Sequence, residues 1–126
     1  VGSQLLYINL PTSIEKIGKG AFKDCKRLAW INLNGLNGKM TEIDEGTFEN
    51  CPKLEYVELP SSLTIIKKNA FKKCVSLREV TIPNSVTQIE LNAFQGCKNL
   101  QVVRLSSKTV FDKTHTFSVK SSFIYT

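Results

Sequence analysis

The chain has 126 residues, of which 41% are hydrophobic and 22% charged, the balance of one globular domain rather than of a disordered chain. Apolar residues come in short bursts such as Leu100-Gln101-Val102-Val103, so no stretch approaches the roughly 20 consecutive apolar residues of a membrane-spanning helix. The formal net charge of +6 admits an acidic partner but is modest for a protein built around one.

The opening residues, Val1-Gly2-Ser3-Gln4, have neither the basic start nor the apolar stretch of a signal peptide, and the chain does not begin with Met. A leader removed together with whatever preceded Val1 would leave the same start, so the compartment stays open.

From Leu5 the chain repeats itself. The first unit reads Leu5-x-x-Ile8-x-Leu10-Pro11-x-Ser13-Ile14-x-x-Ile17-x-x-Gly20-Ala21-Phe22-x-x-Cys25. Leu5, Ile8 and Leu10 include the spacing of two that marks a strand, and Pro11 to Ser13 supply a turn. Gly20 stands where the backbone needs a left-handed corner before Ala21-Phe22. The second unit has Leu28/Ile31/Leu33, then Met40/Ile43, Gly46-Thr47-Phe48 and Cys51. Its turn is longer, with Asn34-Gly35-Leu36-Asn37-Gly38-Lys39 where other units carry Pro-x-Ser. The third has Leu54/Val57/Leu59, Leu63/Ile66, Asn69-Ala70-Phe71 and Cys74; the fourth has Leu77/Val80/Ile82, Val86/Ile89, Asn92-Ala93-Phe94 and Cys97. Successive cysteines fall 26, 23 and 23 residues apart, which fixes a period of 23 with one three-residue insertion. The fifth unit opens with Leu100/Val103/Leu105 and then loses the pattern. Thr116-Phe117 still lies where a Thr-Phe pair belongs, and Lys120 stands where cysteine would.

A 23-residue unit cannot enclose its own apolar side chains, whereas stacked units turn each column into a ladder and share one core. The expected fold is therefore a right-handed solenoid, mainly β, over residues 1–126 as a single domain. One face carries a parallel sheet and the other short turns, strands or helical pieces. The repeats run about 5–27, 28–53, 54–76, 77–99 and 100–126. Five of them carry strands, and the Ser/Thr-rich segment from about residue 106 is a decayed unit expected to cap the core, with a linker leading onward as the alternative. At the other end nothing polar covers Ile8, Ile14, Ile17 and Phe22, so the chain is expected either to continue or to self-associate through that end.

These columns resemble the BspA-like, or Treponema-type, leucine-rich repeats. The resemblance covers residues 5 to 105 and rests on the signature of the third unit, Leu59-Pro60-x-Ser62-Leu63-Thr64-x-Ile66 followed by Ala70-Phe71-x-x-Cys74, recurring over four periods. It departs from the pattern at Asn34-Gly35 and again after Leu105. The resemblance implies a leucine-rich-repeat solenoid that is secreted or displayed at a cell surface and adheres to a host or matrix protein.

Cysteine and histidine invite a catalytic or metal reading, which the spacing opposes. In stacked repeats the four cysteines form a line at about 5 Å per step, so the outer two lie roughly 15 Å apart. One zinc ion gathers sulfurs about 2.3 Å from itself, and its usual mark is a close cysteine pair that this chain lacks. Small buried thiols in a ladder fit the pattern better, and free thiols are expected. His115 has no nucleophile with an orienting acid beside it in sequence, and no Gly-rich phosphate loop is present. Neither an enzyme nor a cofactor is indicated.

Alternate strand residues face solvent. Their middle column runs Tyr7, Trp30, Tyr56, Glu79, Val102, flanked by Asn9, Asn32, Glu58, Thr81, Arg104 and by Leu6, Ala29, Glu55, Arg78, Gln101. Aromatic side chains ringed by polar groups are the usual material of protein-binding surfaces, although cross-strand stacking alone would also support the sheet. The expected ligand-binding residues are Tyr7, Trp30, Tyr56, Asn32, Glu58, Arg78, Glu79 and Arg104, with a protein partner. On the turn side Lys19, Glu45, Lys68 and Lys23, Glu49, Lys72 alternate in sign, which suits a solvated face with ion pairs between repeats. A glycan or nucleic acid bound by turn-face lysines is the alternative, with nucleic acid disfavoured because no aromatic residues are interleaved with them.

Overall fold

The computed structural model describes residues 4–118 and 120–126. In chain order the elements are β1 (Leu6–Asn9), β2 (Leu28–Asn32), a short 3-10 turn (Asn34–Leu36), β3 (Glu42–Ile43), β4 (Tyr56–Glu58), β5 (Ile65–Ile66), β6 (Glu79–Thr81), β7 (Gln88–Ile89), β8 (Val102–Leu105), α1 (Lys113–Thr116) and β9 (Ser122–Tyr125). They stack as a β-solenoid whose strands pair in parallel. One wall holds the sheets β1-β2-β4 and β6-β8-β9, and a second wall holds β3-β5-β7.

The register follows the repeat columns. Ile8 pairs with Ile31 and Ile31 with Val57, while Tyr7, Trp30 and Tyr56 form the neighbouring rung on the opposite face. In the second wall Ile43, Ile66 and Ile89 align. The shared core runs from Ile17 to Phe117 as one cluster, as a sum of units that cannot bury themselves requires.

The turns between walls carry the strongest ladder. Main-chain N–H groups of Phe22, Phe48, Phe71 and Phe94 donate to the carbonyls of Thr47, Ala70, Ala93 and Thr116 in the next repeat, at 2.7–2.9 Å. The rings of Phe22, Phe48, Phe71, Phe94 and Phe117 consequently stack with centroids 5.0–5.4 Å apart. Gly20, Gly46, Asn69 and Asn92 have φ of 60–65°, the left-handed corner expected from their residue types. A second left-handed column, Asp24, Asn50, Lys73 and Gly96, precedes each cysteine. Two such corners per unit turn the chain sharply enough to point both Phe and Cys inward.

All four thiols are free. Cys51, Cys74 and Cys97 are fully buried, and their Sγ atoms donate to the carbonyls of Phe22, Phe48 and Phe71 at 3.0–3.2 Å. Burial pushes the Cys51 thiol up to about 12. Cys25 departs from the expected full burial: on the outermost rung it is only half-buried, and burial with the neighbouring Asp24 charge raises its thiol.

The end unit contains more structure than its sequence suggests. Phe117 completes the ring ladder, and β9 adds a sixth strand to the sheet wall, with Phe123 in register with Val103. Phe111 and Phe123 pack edge-on against Phe117 at 5.3 and 5.1 Å. The end unit therefore packs an aromatic face against the ring ladder.

Candidate binding face

Strand pairing places Tyr7 beside Trp30 and Trp30 beside Tyr56 on the open side of β1-β2-β4. The Trp30 and Tyr56 rings stack with centroids 5.7 Å apart and planes 21° from parallel. Tyr7 is 67% exposed and Tyr56 39%, with Trp30 half-buried between them. The stripe is thus a solvent-facing aromatic surface. Leu6, 39% exposed, extends its apolar character at the outer edge. Ala29, expected on the exposed flank, is instead buried. The register slips between Leu6 and Tyr7, which pair with Leu28 and Trp30, so Ala29 is the extra residue of a bulge.

Polar groups on the same sheet are preorganised. Asn32 Oδ1 accepts the main-chain N–H of Asn34 at 2.9 Å, which ties the strand end to the inserted loop. The Tyr56 hydroxyl donates to Glu58, and that carboxylate, with some burial, pushes the phenol up to about 12. Across the sheet wall Glu79 pairs with Arg104 at 3.1 Å. Arg78 is exposed and meets no carboxylate among the described residues.

The eight residues expected from sequence do not form one continuous patch. Tyr7, Trp30, Asn32, Tyr56 and Glu58 share β1-β2-β4, while Glu79 and Arg104 lie on β6-β8-β9 with Arg78 just before β6. Between the two groups β4 and β6 run side by side without ladder hydrogen bonds. In neighbouring rungs Leu33 N–H donates to the Glu58 carbonyl and Ile82 N–H to the Arg104 carbonyl. The equivalent bond from Leu59 N–H to the Thr81 carbonyl is missing, as is that from Arg78 N–H to the Glu55 carbonyl. On the second wall the stack stays closed, since β5 still pairs with β7, and in the turn between the walls Phe71 N–H still reaches Ala93 at 2.7 Å. The sheet is therefore split on its open side by a cleft of about 390 Å³. Tyr56, Glu58, Glu79 and Thr81 line its length, and Asn34 and Pro83 stand at one end. The repeat period carries no sign of this cleft because both strands keep their columns intact.

The inserted loop is anchored into the repeats on both sides of it. Leu36 is fully buried, and Asn37 Oδ1 accepts Ser61 Oγ–H and Ser62 N–H from the next repeat at 3.0 and 3.1 Å. Gly35 packs so closely on the first repeat that a Cβ there would sit 2.3 Å from the Leu10 carbonyl oxygen. A single large aliphatic residue within an otherwise Asn/Gly-rich loop is the sequence signal for this anchoring.

On the turn side Lys19 pairs with Glu45 at 3.0 Å, Lys23 with Glu49 at 3.9 Å and Lys67 with Glu42 at 3.3 Å. The Lys19 ammonium, hydrogen-bonded to Glu45, lowers that carboxyl. His115 lies far from the aromatic stripe in a capping cluster. Its Nδ1 is 2.9 Å from Asp112 Oδ2, while Asp112 Oδ1 accepts Thr114 N–H at 3.0 Å. The hydrogen bond to His115, followed by those to Thr114, holds the Asp112 carboxyl down at about 2. The thiols stand on separate rungs, those of Cys51, Cys74 and Cys97 donating to carbonyls, and among the described residues no three His, Cys, Asp or Glu side chains converge as a metal ligand set. No helix among the described residues is long and apolar enough to cross a membrane.

The comparison with curated proteins finds no match. Among solved structures, a leucine-rich cell surface protein from Faecalibacterium prausnitzii is 25% identical over 97% of this chain, with a TM-score of 0.79. A T. pallidum leucine-rich repeat protein is 27% identical over 82% of the chain with a TM-score of 0.58, and a leucine-rich repeat protein from Bacteroides ovatus is 25% identical over 95% with 0.59. The chain spans 32%, 60% and 42% of those three proteins. The model of the BspA-type leucine-rich repeat region matches six copies over residues 2–123. With a match over nearly its whole length and the ladders above, the chain belongs to the BspA-type leucine-rich repeat family.

Proposed function

We propose that this chain is a non-enzymatic protein-binding module, displayed at a cell surface or secreted, whose partner docks on the open sheet around Tyr7, Trp30 and Tyr56. The observation that carries this reading is the stacked, solvent-facing Trp30–Tyr56 pair, rimmed by Asn32 and Glu58. Rigid aromatic groups bury large areas at little entropic cost, which is why they dominate interface energies. The description of the F. prausnitzii relative as a cell surface protein supports the location. Binding of an anionic glycan or nucleic acid through the turn face is less favoured, because Lys19, Lys23 and Lys67 already face carboxylates of the neighbouring repeat.

The test is retention of partners from host-surface and extracellular-matrix extracts, followed by affinity measurement on the retained protein. Trp30→Ala is expected to weaken binding by about 2 kcal/mol or more with the fold unchanged. Charge reversal of Lys67, Lys68, Lys72 and Lys73 should matter little. An interaction that collapses with salt, is lost on lysine reversal and ignores Trp30 would assign function to the turn face instead.

A further inference from the structure

We infer that the cleft between β4 and β6 seats the guanidinium of an arginine side chain presented by the protein partner, an assignment that rests on the sheet-face reading above and specifies its ligand chemistry. Three observations converge on it. First, the gap is a break in hydrogen bonding: the Leu59 and Arg78 N–H groups and the Glu55 and Thr81 carbonyls lack the inter-strand partners that their counterparts have in other rungs. Residues of β4 and β6 still approach within 8 Å, Cα to Cα, too close for an added strand, which needs about 4.8 Å on each side. It suits a single flat side-chain head.

Second, the cleft offers carboxylates on a basic molecule, one of them, Glu79, already paired with Arg104. The chain carries +6, yet the charged side chains lining the cleft, Glu58 and Glu79, are both acidic. Each carboxylate keeps acceptor capacity, because Glu58 accepts Tyr56 through Oε1 and Glu79 accepts Arg104 through Oε1, and two oxygens offer about four lone-pair sites. Third, the walls favour a guanidinium over an ammonium. Tyr56 borders the cleft with an aromatic face, and Val57, Leu59, Val80 and Pro83 add apolar surface beside the polar Asn34, Ser61 and Thr81. A planar, weakly hydrated guanidinium stacks on an aromatic ring while forking to carboxylate and carbonyl oxygens, whereas a compact ammonium remains strongly hydrated.

The test uses the intact chain labelled with nitrogen-15 and titrated with N-acetyl-arginine methylamide, with the matching lysine and norleucine compounds as controls. The arginine compound is expected to shift amides of residues 56–59 and 79–82 saturably in the millimolar range, with the lysine compound at least several-fold weaker. The variant carrying Glu58→Gln and Glu79→Gln is expected to weaken arginine binding by at least about tenfold, with an unchanged circular dichroism spectrum. Shifts scattered over the surface, or equal responses to lysine and arginine, overturn the assignment. So does unchanged binding by the double variant. Movement of the same amides on diluting the protein alone would place a second copy in the cleft and likewise overturn it. The two readings fail separately. A partner whose binding depends on Trp30 but ignores the double variant leaves the sheet face standing and removes the arginine seat. Loss of the partner's affinity in the double variant and on changing its arginines to glutamine supports both.

Discussion

Removing one ring from the phenylalanine ladder tests whether the solenoid is held by nearest-neighbour stacking. Phe71 is fully buried, with Phe48 on one side at 5.2 Å and Phe94 on the other at 5.0 Å. Truncating a fully buried phenylalanine to alanine costs about 3–5 kcal/mol, including the cavity left behind. Loss of stacking on both faces places Phe71→Ala toward the upper part of that range, about 4–5 kcal/mol. Phe22 is half-buried and stacks on one face only, against Phe48 at 5.4 Å. Its truncation forfeits roughly half the burial and one neighbour, so Phe22→Ala should cost about 2 kcal/mol. The difference is large against a total stability of about 5–15 kcal/mol. Urea denaturation followed by far-ultraviolet circular dichroism reads it directly: with a slope of about 2 kcal/mol per molar, the midpoint falls by about 2 M for Phe71→Ala and about 1 M for Phe22→Ala. Trp30 fluorescence should report the same midpoint if the stack melts as one unit. Equal costs for the two variants, or a larger cost at Phe22, would refute stacking as the source of the ordering.

Thiol labelling of the folded chain should modify Cys25 first and Cys51, Cys74 and Cys97 only on unfolding, with four labels in denaturant without reductant; equal native rates for Cys25 and Cys51 would contradict their different burial. Gly35→Ala should destabilise by about 1–3 kcal/mol, because its methyl would meet the Leu10 carbonyl at 2.3 Å and force the first two repeats apart. An unchanged melting temperature would show that the loop yields freely. Asp112, depressed in the folded chain from 3.8 to about 2, stabilises α1 above pH 3.8, and this contribution is lost as pH falls toward 2. The stability gap between the wild type and Asp112→Asn should accordingly close over that interval, and a gap constant with pH would remove the capping role.

The ladders were legible because a solenoid converts sequence columns directly into contacts: the same count that aligned Phe22, Phe48, Phe71 and Phe94 also found Phe117 in a segment with little other pattern. Features that are not columns were hidden. Lys73 at φ 63° carries no residue-type signal for a left-handed corner, and only its place among Asp24, Asn50 and Gly96 explains it. The cleft lies between two regular strands rather than in either, so no single segment encodes it. Of the expected site residues, the aromatic column could be read because stacking follows register, whereas the separation of Arg78, Glu79 and Arg104 from it could not.

Strand β9 shows how a small change of period can serve the fold while defeating alignment. Ser122 pairs with Val102, a separation of 20 residues instead of 23, and the shortening falls after Phe117, which keeps its full distance from Phe94. The shorter return brings Phe123 into the column of Ile8, Ile31, Val57, Val80 and Val103, with a larger side chain than any of them. That ring reaches Phe117 edge-on at 5.1 Å and meets Phe111 at 5.5 Å, so the last ring of the ladder is packed by aromatic side chains. A three-residue shortening thus keeps β8 and β9 in parallel register while changing which side chain packs on the last ring of the ladder, an adjustment that a stack of nearest-neighbour units accommodates locally.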